Sequence, residues 1–392
     1  MSKPNALVLQ SGGSTPVLNR SLAGVVRQAG LARHIDQVYG AIHALDGVLA
    51  GNLVDLSGRS KAWWNRTART PGAVLGSSRR RLTEEDVPKV LQVLTEHRIR
   101  FCFIIGGNDS AETGHTINAE AENAGMALSV VNVPKTIDND LVLTDHTPGY
   151  GSAARFVALT TMGAGRDAES MGKEAPITII EVMGRDAGWL AAASALASRS
   201  QRDAPHVVCI PEVPVDEDRF VDLIEEACGR YGFAVAVIAE NTRGTEGPLG
   251  GTEPWYVDQF GHPYYEGAGR HLAEHTGRRL NVRVRYEKPG TIQRAMVACI
   301  STTDTKEAEA AGRAAVECAL DGASDQMVTL VRTHGEGYRC STGLAPLGEV
   351  AGQVKQIPNE FFDNASYMPT QAFVEYARPL IGEALPRFER LM

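Results

Sequence analysis

The stretch Val130–Leu141, VVNVPKTIDNDL, decides how the chain is read. Val130, Val131 and Val133 form the end of a buried strand, and Pro134 cannot donate to a ladder, so pairing stops there. Lys135, Thr136, Asp138 and Asp140 follow at once. A cation, a hydroxyl and two carboxylates thus crowd one turn at a strand's carboxyl end, the place where open parallel sheets bind ligands. An acidic turn capping the next segment is the plainer alternative.

The flanking sequence supports such a sheet. ALVLQ (6–10) leads into glycines 12 and 13 and then VLNRSLAGVVRQAG; RFCFII (100–105) leads into GGNDS and AETGHTINAEAENAG. Strand and helix signals that alternate in this way predict a mainly parallel sheet flanked by helices. Thr83 is expected to open a helix with Glu84, Glu85 and Asp86 in its first turn and Val87, Val90, Leu91 and Leu94 on its buried face. From about residue 153 a second set follows: ITIIEVM, GWLAAASALAS, HVVCIPE, DEDRFVDLIEEACGRYG and AVAVIAEN. At 392 residues the chain exceeds what one core usually holds, so two α/β domains are expected.

Composition narrows the function. A net charge of −8 draws the surface toward neither nucleic acid nor anionic lipid, so an anionic substrate must be captured by local cations. Six scattered cysteines fit reduced thiols, and Cys102 reads as core. With no apolar run of membrane-spanning length and no signal-peptide core, a soluble cytoplasmic protein is expected, with no membrane or nucleic-acid partner. Local cations do appear. Four strand ends carry glycine or charge: QSGGSTP (10–16), IGGNDS (105–110), PKTIDND (134–140) and EVMGRDAGW (181–189). Glycines 12, 13, 106 and 107 let backbone amides approach an anion, and Arg79, Lys135 and Arg185 add charge around Asp138 and Asp140. Amides, cations and carboxylates together are what phosphoryl transfer requires.

These motifs, in this order, resemble the phosphofructokinase family, and more narrowly its pyrophosphate-dependent branch, over nearly the whole chain. GGNDS resembles the family's donor loop, PKTIDND its catalytic loop, and Met183, Gly184 and Arg185 its sugar-phosphate loop; AEN with Glu240 and PGTIQR with Thr291 and Arg294 fall where further acceptor contacts are expected. The resemblance implies a magnesium-dependent transfer from pyrophosphate to the C1 hydroxyl of fructose 6-phosphate, in a homodimer or homotetramer. It implies two α/β domains with the active site in the cleft between them: 1–152 plus about 292–332 for the donor, 153–291 plus about 333–392 for the acceptor. Asp138 would take the hydroxyl proton, with Thr136, Ile137 and Asp140 beside it. Gly12, Gly13, Arg79, Gly107 and Asp109 would line the donor site. Arg185 would neutralise developing charge, Glu240 would accept sugar hydroxyls, and Arg294 would bind the 6-phosphate.

Donor choice turns on Asp109 and Lys135, where ATP-dependent relatives carry glycine. A carboxylate at 109 repels a nucleotide's α-phosphate by about 1 to 4 kcal/mol at ~4 Å, and Lys135 would reach the phosphate left behind when pyrophosphate is split. Asn108 stands where those relatives hold magnesium with an aspartate; its amide oxygen adds no charge, so the ion is either held there or arrives on pyrophosphate. Pro176 replaces an arginine that reaches a neighbouring subunit, and Arg285 or Arg283 would supply that charge. His271 and His275 read as two exposed helix residues, Arg80 and Arg81 as solvated neighbours of Arg79, and Trp255, Tyr256, Phe260, Tyr264 and Tyr265 as loop packing or a subunit contact. Another acceptor such as sedoheptulose 7-phosphate, ATP as donor, and a noncatalytic sugar-phosphate sensor are the alternatives.

Overall fold

A computed structural model describes residues 3–391 except 252, 255, 258–262, 265, 266, 334 and 336. Strand β1 (Asn5–Gln10) is buried along its whole length, as expected of a strand covered on both faces. It lies inside a seven-stranded sheet with β2 (Val38–Ala41), β3 (Leu53–Asp55), β4 (Ile99–Gly106) and β5 (Ser129–Pro134), in the order Cys340–Pro346, Gln326–Arg332, β5, β4, β1, β2, β3. Neighbours pair in parallel except at the two edges, β3 and Cys340–Pro346. The sequence division at about 333 falls inside that last antiparallel pair, so Cys340–Pro346 extends the larger sheet instead of joining the second unit.

The second sheet is parallel throughout, in the order Val284–Glu287, β6 (Ile177–Val182), β8 (Ala234–Ala239), β7 (Val207–Cys209). Apolar layers pack on both faces of each sheet, with Phe103, Val131 and Leu22 in the first and Val237, Trp189 and Phe373 in the second. Helix Thr302–Leu320 crosses helix Leu18–Leu31 at a reciprocal pair of glycines. A Cβ on Gly24 would lie 2.3 Å from the Glu309 carbonyl oxygen, and one on Gly312 2.2 Å from that of Ser21. Only hydrogen fits there, which brings the two backbones into contact.

Register places the site. Gln10 pairs with Ile105, and Gly106 with Pro134, so β1, β4 and β5 end level and release their loops side by side. In the second sheet Val182 pairs with Ala239 and Glu287 with Ile180, which sets Met183, Glu240 and Lys288 at neighbouring strand ends. The helix expected to open at Thr83 starts at Val87: residues 84–86 form a turn in which the Asp86 amide donates to the Thr83 carbonyl at 3.0 Å. Pro88, favoured in a first helical turn, fixes the later start. Among the described residues no helix is long and apolar enough to cross a membrane.

Candidate active site

The loops from both sheets enclose a cleft of about 520 Å³. Its wall contains Gly12, Gly13, Arg79, Gly107, Asn108, Asp109, Lys135, Thr136, Ile137, Asp138, Asp140, Met183, Arg185, Glu240, Thr291 and Arg294. Every residue given a donor, acceptor or metal role from the sequence is therefore there except Gly106, Gly184, Arg283 and Arg285. Gly184, at φ +123°, shapes the loop between two lining residues, and its backbone helps hold the Glu240 carboxyl down against burial. Arg285 is not brought to the cleft of its own chain: it is ion-paired with Asp167 of helix Tyr150–Met171. A cavity of about 750 Å³ elsewhere, beside His206 and helix Glu217–Tyr231, contains none of the singled-out residues.

The catalytic turn owes its shape to Asn139. This residue is fully buried with φ +57°, a left-handed conformation that asparagine tolerates better than most side chains. The turn it makes lets Asp138 and Asp140, on either side, both line the cleft. Asn139 Nδ2 donates to the Tyr376 hydroxyl at 3.0 Å, and the Lys355 amide donates to the Asp140 carbonyl at 2.7 Å, so the carboxyl-terminal segment holds the turn. The Asp138 amide donates to Thr136 Oγ1 at 3.0 Å. Burial, then Asp140 beside it, pushes the Asp138 carboxyl upward, while Arg185 pulls it back. Its Oδ1 is buried and has no hydrogen-bond partner among the described residues. A carboxyl group so placed holds a proton more readily than the ordinary carboxylate assumed from sequence.

Lys135 is 4% exposed and its Nζ donates to the Gly13 carbonyl at 2.7 Å. Burial, then the Arg294 charge, pushes its ammonium down to about 8. Gly12 has φ +77°, and a Cβ there would lie 3.2 Å from that ammonium, so glycine is needed both for the turn and for the lysine. Gly107 caps helix Asn108–Asn123, whose first residues, Asn108, Asp109 and Ser110, line the cleft. Asn108 Oδ1 accepts from the Asp109 amide at 2.9 Å, leaving one lone pair for a ligand. Arg294, read as an acceptor residue, also stands at the donor loop: a Cβ on Gly13 would lie 3.0 Å from its Nη1.

Two lining residues had no motif to announce them. Tyr256, assigned from sequence to packing or a subunit contact, lines the cleft; Trp255, Phe260 and Tyr265 lie outside the described residues. Lys288 lies immediately before PGTIQR and was passed over because it matches no motif position. The arginine run divides as expected, with Arg79 in the wall, Arg80 paired to Asp86 at 2.8 Å and Arg81 to Glu112 at 3.2 Å. His271 and His275 are half-buried instead of exposed, because their helix packs on Glu217–Tyr231; both face Glu217, at 2.8 and 3.7 Å.

A second group of metal-binding side-chain types, His146, Glu307 and Cys340, lies behind the catalytic turn. His146 is already hydrogen-bonded to Asp145 at 2.8 Å and Glu307 at 2.7 Å, as in a buried ion-pair network.

Known proteins match this arrangement along its length. The Phosphofructokinase family model matches residues 5–319. A pyrophosphate–fructose 6-phosphate 1-phosphotransferase of Rhodospirillum rubrum is 36% identical, covering 100% of this chain and 97% of that one. The crystal structure of a pyrophosphate-dependent phosphofructokinase from Nitrosospira multiformis superposes with a TM-score of 0.90 at 31% identity, over 100% of this chain and 95% of that one. Its counterpart from Marinobacter aquaeolei gives 0.87 at 34%, over 98% and 94%. With the family model matching residues 5–319 and relatives alike over nearly the whole length of both chains, the chain belongs to the phosphofructokinase family.

Proposed function

We propose that the chain transfers a phosphoryl group from pyrophosphate to the C1 hydroxyl of fructose 6-phosphate, giving fructose 1,6-bisphosphate and phosphate. The observation that carries this reading is the donor end of the cleft, where Lys135 is fixed on the Gly13 carbonyl and Asp109 stands in the opening turn of the donor helix. A compact polyanionic donor suits a buried ammonium and a ring of backbone amides, whereas Asp109 repels a nucleotide's α-phosphate. Pyrophosphate–fructose 6-phosphate 1-phosphotransferases alike over nearly the full chain agree with it.

In the transfer, the C1 oxygen forms a bond to the terminal phosphorus as the bridging P–O bond breaks. The hydroxyl proton passes to Asp138, whose upward shift makes it a better late proton acceptor than an exposed carboxylate. Lys135 and the helix amides hold the departing phosphate, and Arg185 meets charge developing on the transferred group. Glu240 accepts sugar hydroxyls, and Arg294, reaching the Gly13 loop, binds phosphate oxygens between donor and acceptor. A magnesium ion would be held at Asn108, whose Oδ1 keeps a free lone pair, leaving Asp138 to the proton. When bound, magnesium supplies neutralisation of pyrophosphate charge.

A coupled assay crossing pyrophosphate and ATP with fructose 6-phosphate and sedoheptulose 7-phosphate tests the reading. Turnover confined to pyrophosphate with fructose 6-phosphate is expected. Preference for ATP overturns the donor assignment, preference for the longer sugar overturns the acceptor, and no turnover with any pair leaves a sensor.

A further inference from the structure

Lys288 follows strand Val284–Glu287 and lines the cleft at its acceptor end. Its Nζ lies 2.6 Å from Oε1 of Glu181, a β6 carboxylate whose side chain is 0% exposed. The other oxygen, Oε2, accepts from the Gly269 amide at 3.0 Å and the Tyr286 hydroxyl at 2.9 Å. The socket has room for a carboxylate only because glycines border it: a Cβ on Gly267 would lie 2.1 Å from Oε2. A buried carboxylate needs a paired cation. Lys288 supplies that charge, yet 44% of its side chain remains exposed. The buried partner thus fixes the ammonium at the cleft wall without consuming all of its hydrogen-bonding capacity, since an ammonium has three donors.

The geometry points to Lys288 as a specificity-determining residue of the acceptor pocket: held on Glu181 beside Glu240, its ammonium donates to an oxygen of the incoming sugar phosphate. This inference rests on the acceptor reading proposed above. The neighbouring carboxylate gives it independent support. Burial pushes the Glu240 carboxyl upward, and Lys288 is the strongest opposing influence; Glu181 adds to the upward push, while Arg185 and the Gly184 amide oppose it. Asp138 from the catalytic turn and Tyr286 from the strand Val284–Glu287 also face Glu240 electrostatically. Lys288 thus both contacts the acceptor and opposes the upward push on Glu240, favouring the carboxylate that accepts its hydroxyls.

The test uses the full chain with magnesium, measuring steady-state kinetics and fructose 6-phosphate binding by calorimetry for wild type, Lys288→Met, Lys288→Arg and Lys288→Met/Glu181→Gln. In Lys288→Met, KM and Kd for fructose 6-phosphate should rise at least about tenfold, while KM for pyrophosphate stays within about twofold. The acid limb of kcat/KM for the sugar phosphate should move to higher pH, because Glu240 without its cation protonates more easily. Lys288→Arg should restore most of the affinity. The double variant leaves no buried carboxylate unpaired, so it should fold with a near-wild-type Tm and keep the acceptor loss.

An acceptor Kd within about threefold of wild type in both the Met and double variants overturns the proposal, since a lost charged contact costs more. So does an equal rise in the pyrophosphate KM, or an arginine variant as impaired as the methionine one. The two readings separate because turnover by wild type tests the reaction, whereas the calorimetric ratio tests Lys288 even in an enzyme with a different donor. Absence of fructose 6-phosphate binding to wild type overturns both.

Discussion

The two ends of the cleft are built from different materials. At the donor end the wall is a glycine-bearing loop, residues 11–14, and the first turn of helix Asn108–Asn123, with Lys135 pinned on a carbonyl. At the acceptor end it is side chains: Glu240, Arg185 and Lys288, the last held by a buried glutamate. A backbone cradle is set by glycine spacing and strand register, so one substitution there removes a single contact and leaves the rest in place. A cluster of opposed charges is coupled, and one substitution changes the ionisation of its neighbours. Damage at the donor end should therefore appear in turnover, and damage at the acceptor end in affinity and pH dependence.

Asp138 lies where the two ends meet and should show the largest effect. Asp138→Asn keeps the shape and removes the proton acceptor, so kcat should fall by about two to four decades with a smaller change in KM. Steady-state rates check this directly. A variant retaining more than about a tenth of wild-type kcat removes Asp138 from proton acceptance.

Lys135 tests the donor end alone. Lys135→Gly should lower kcat with pyrophosphate by about one to three decades, the cost of one preorganised contact to the leaving group. Its pH dependence has a definite sign. The ammonium is pushed down to about 8, so the charged form is present below that pH and is lost as pH rises through it. Wild-type kcat/KM for pyrophosphate should accordingly decline above about 8. A guanidinium stays charged, so Lys135→Arg should lose that decline even if its rate is lower. An unchanged alkaline limb in the arginine variant assigns the limb to another group.

The same contrast explains what could be read in advance. Glycine pairs after apolar runs, and the turn after Pro134, are local signals, and they marked the strand ends that the register then aligns. Lys288 and Tyr256 carry no local signal. Each matters through what a distant segment places beside it, and the lysine's partner Glu181 lies 107 positions away inside a strand that reads as plain core. Arg285 shows the converse: nothing in its local sequence announces the helix carboxylate more than a hundred residues distant that pairs with it. The extension of the larger sheet by Cys340–Pro346 was hidden likewise, because an edge strand with exposed positions lacks the apolar run that marks the buried ones.

Arg294 asks how sharp the division is. From sequence it belongs to the acceptor's phosphate, but its guanidinium stands against Gly13 and its charge bears on Lys135. Arg294→Ala should therefore raise KM for both substrates, by about tenfold for the sugar phosphate and less for pyrophosphate, as expected for a charge-assisted contact shared between them. If only the sugar-phosphate KM moves, the two ends are more separate than the geometry suggests.

Asp109 should give the smallest effect, and it bears on exclusion instead of catalysis. Its carboxylate lines the donor end without a favourable contact to pyrophosphate in the scheme above, so Asp109→Gly should leave the pyrophosphate KM nearly unchanged. What it should add is a low ATP turnover, because removing a repulsion worth about 1 to 4 kcal/mol recovers one to three decades of nucleotide binding but supplies no new contact. Combined with Lys135→Gly, the preference should move further toward ATP than with either change alone, since one opens space and the other withdraws the group matched to the smaller donor. Both residues line one cleft, so their effects need not add. If Asp109→Gly gains no ATP turnover at saturating fructose 6-phosphate, exclusion must come from the shape of the backbone cradle, and the donor end would then be selective by its glycines alone.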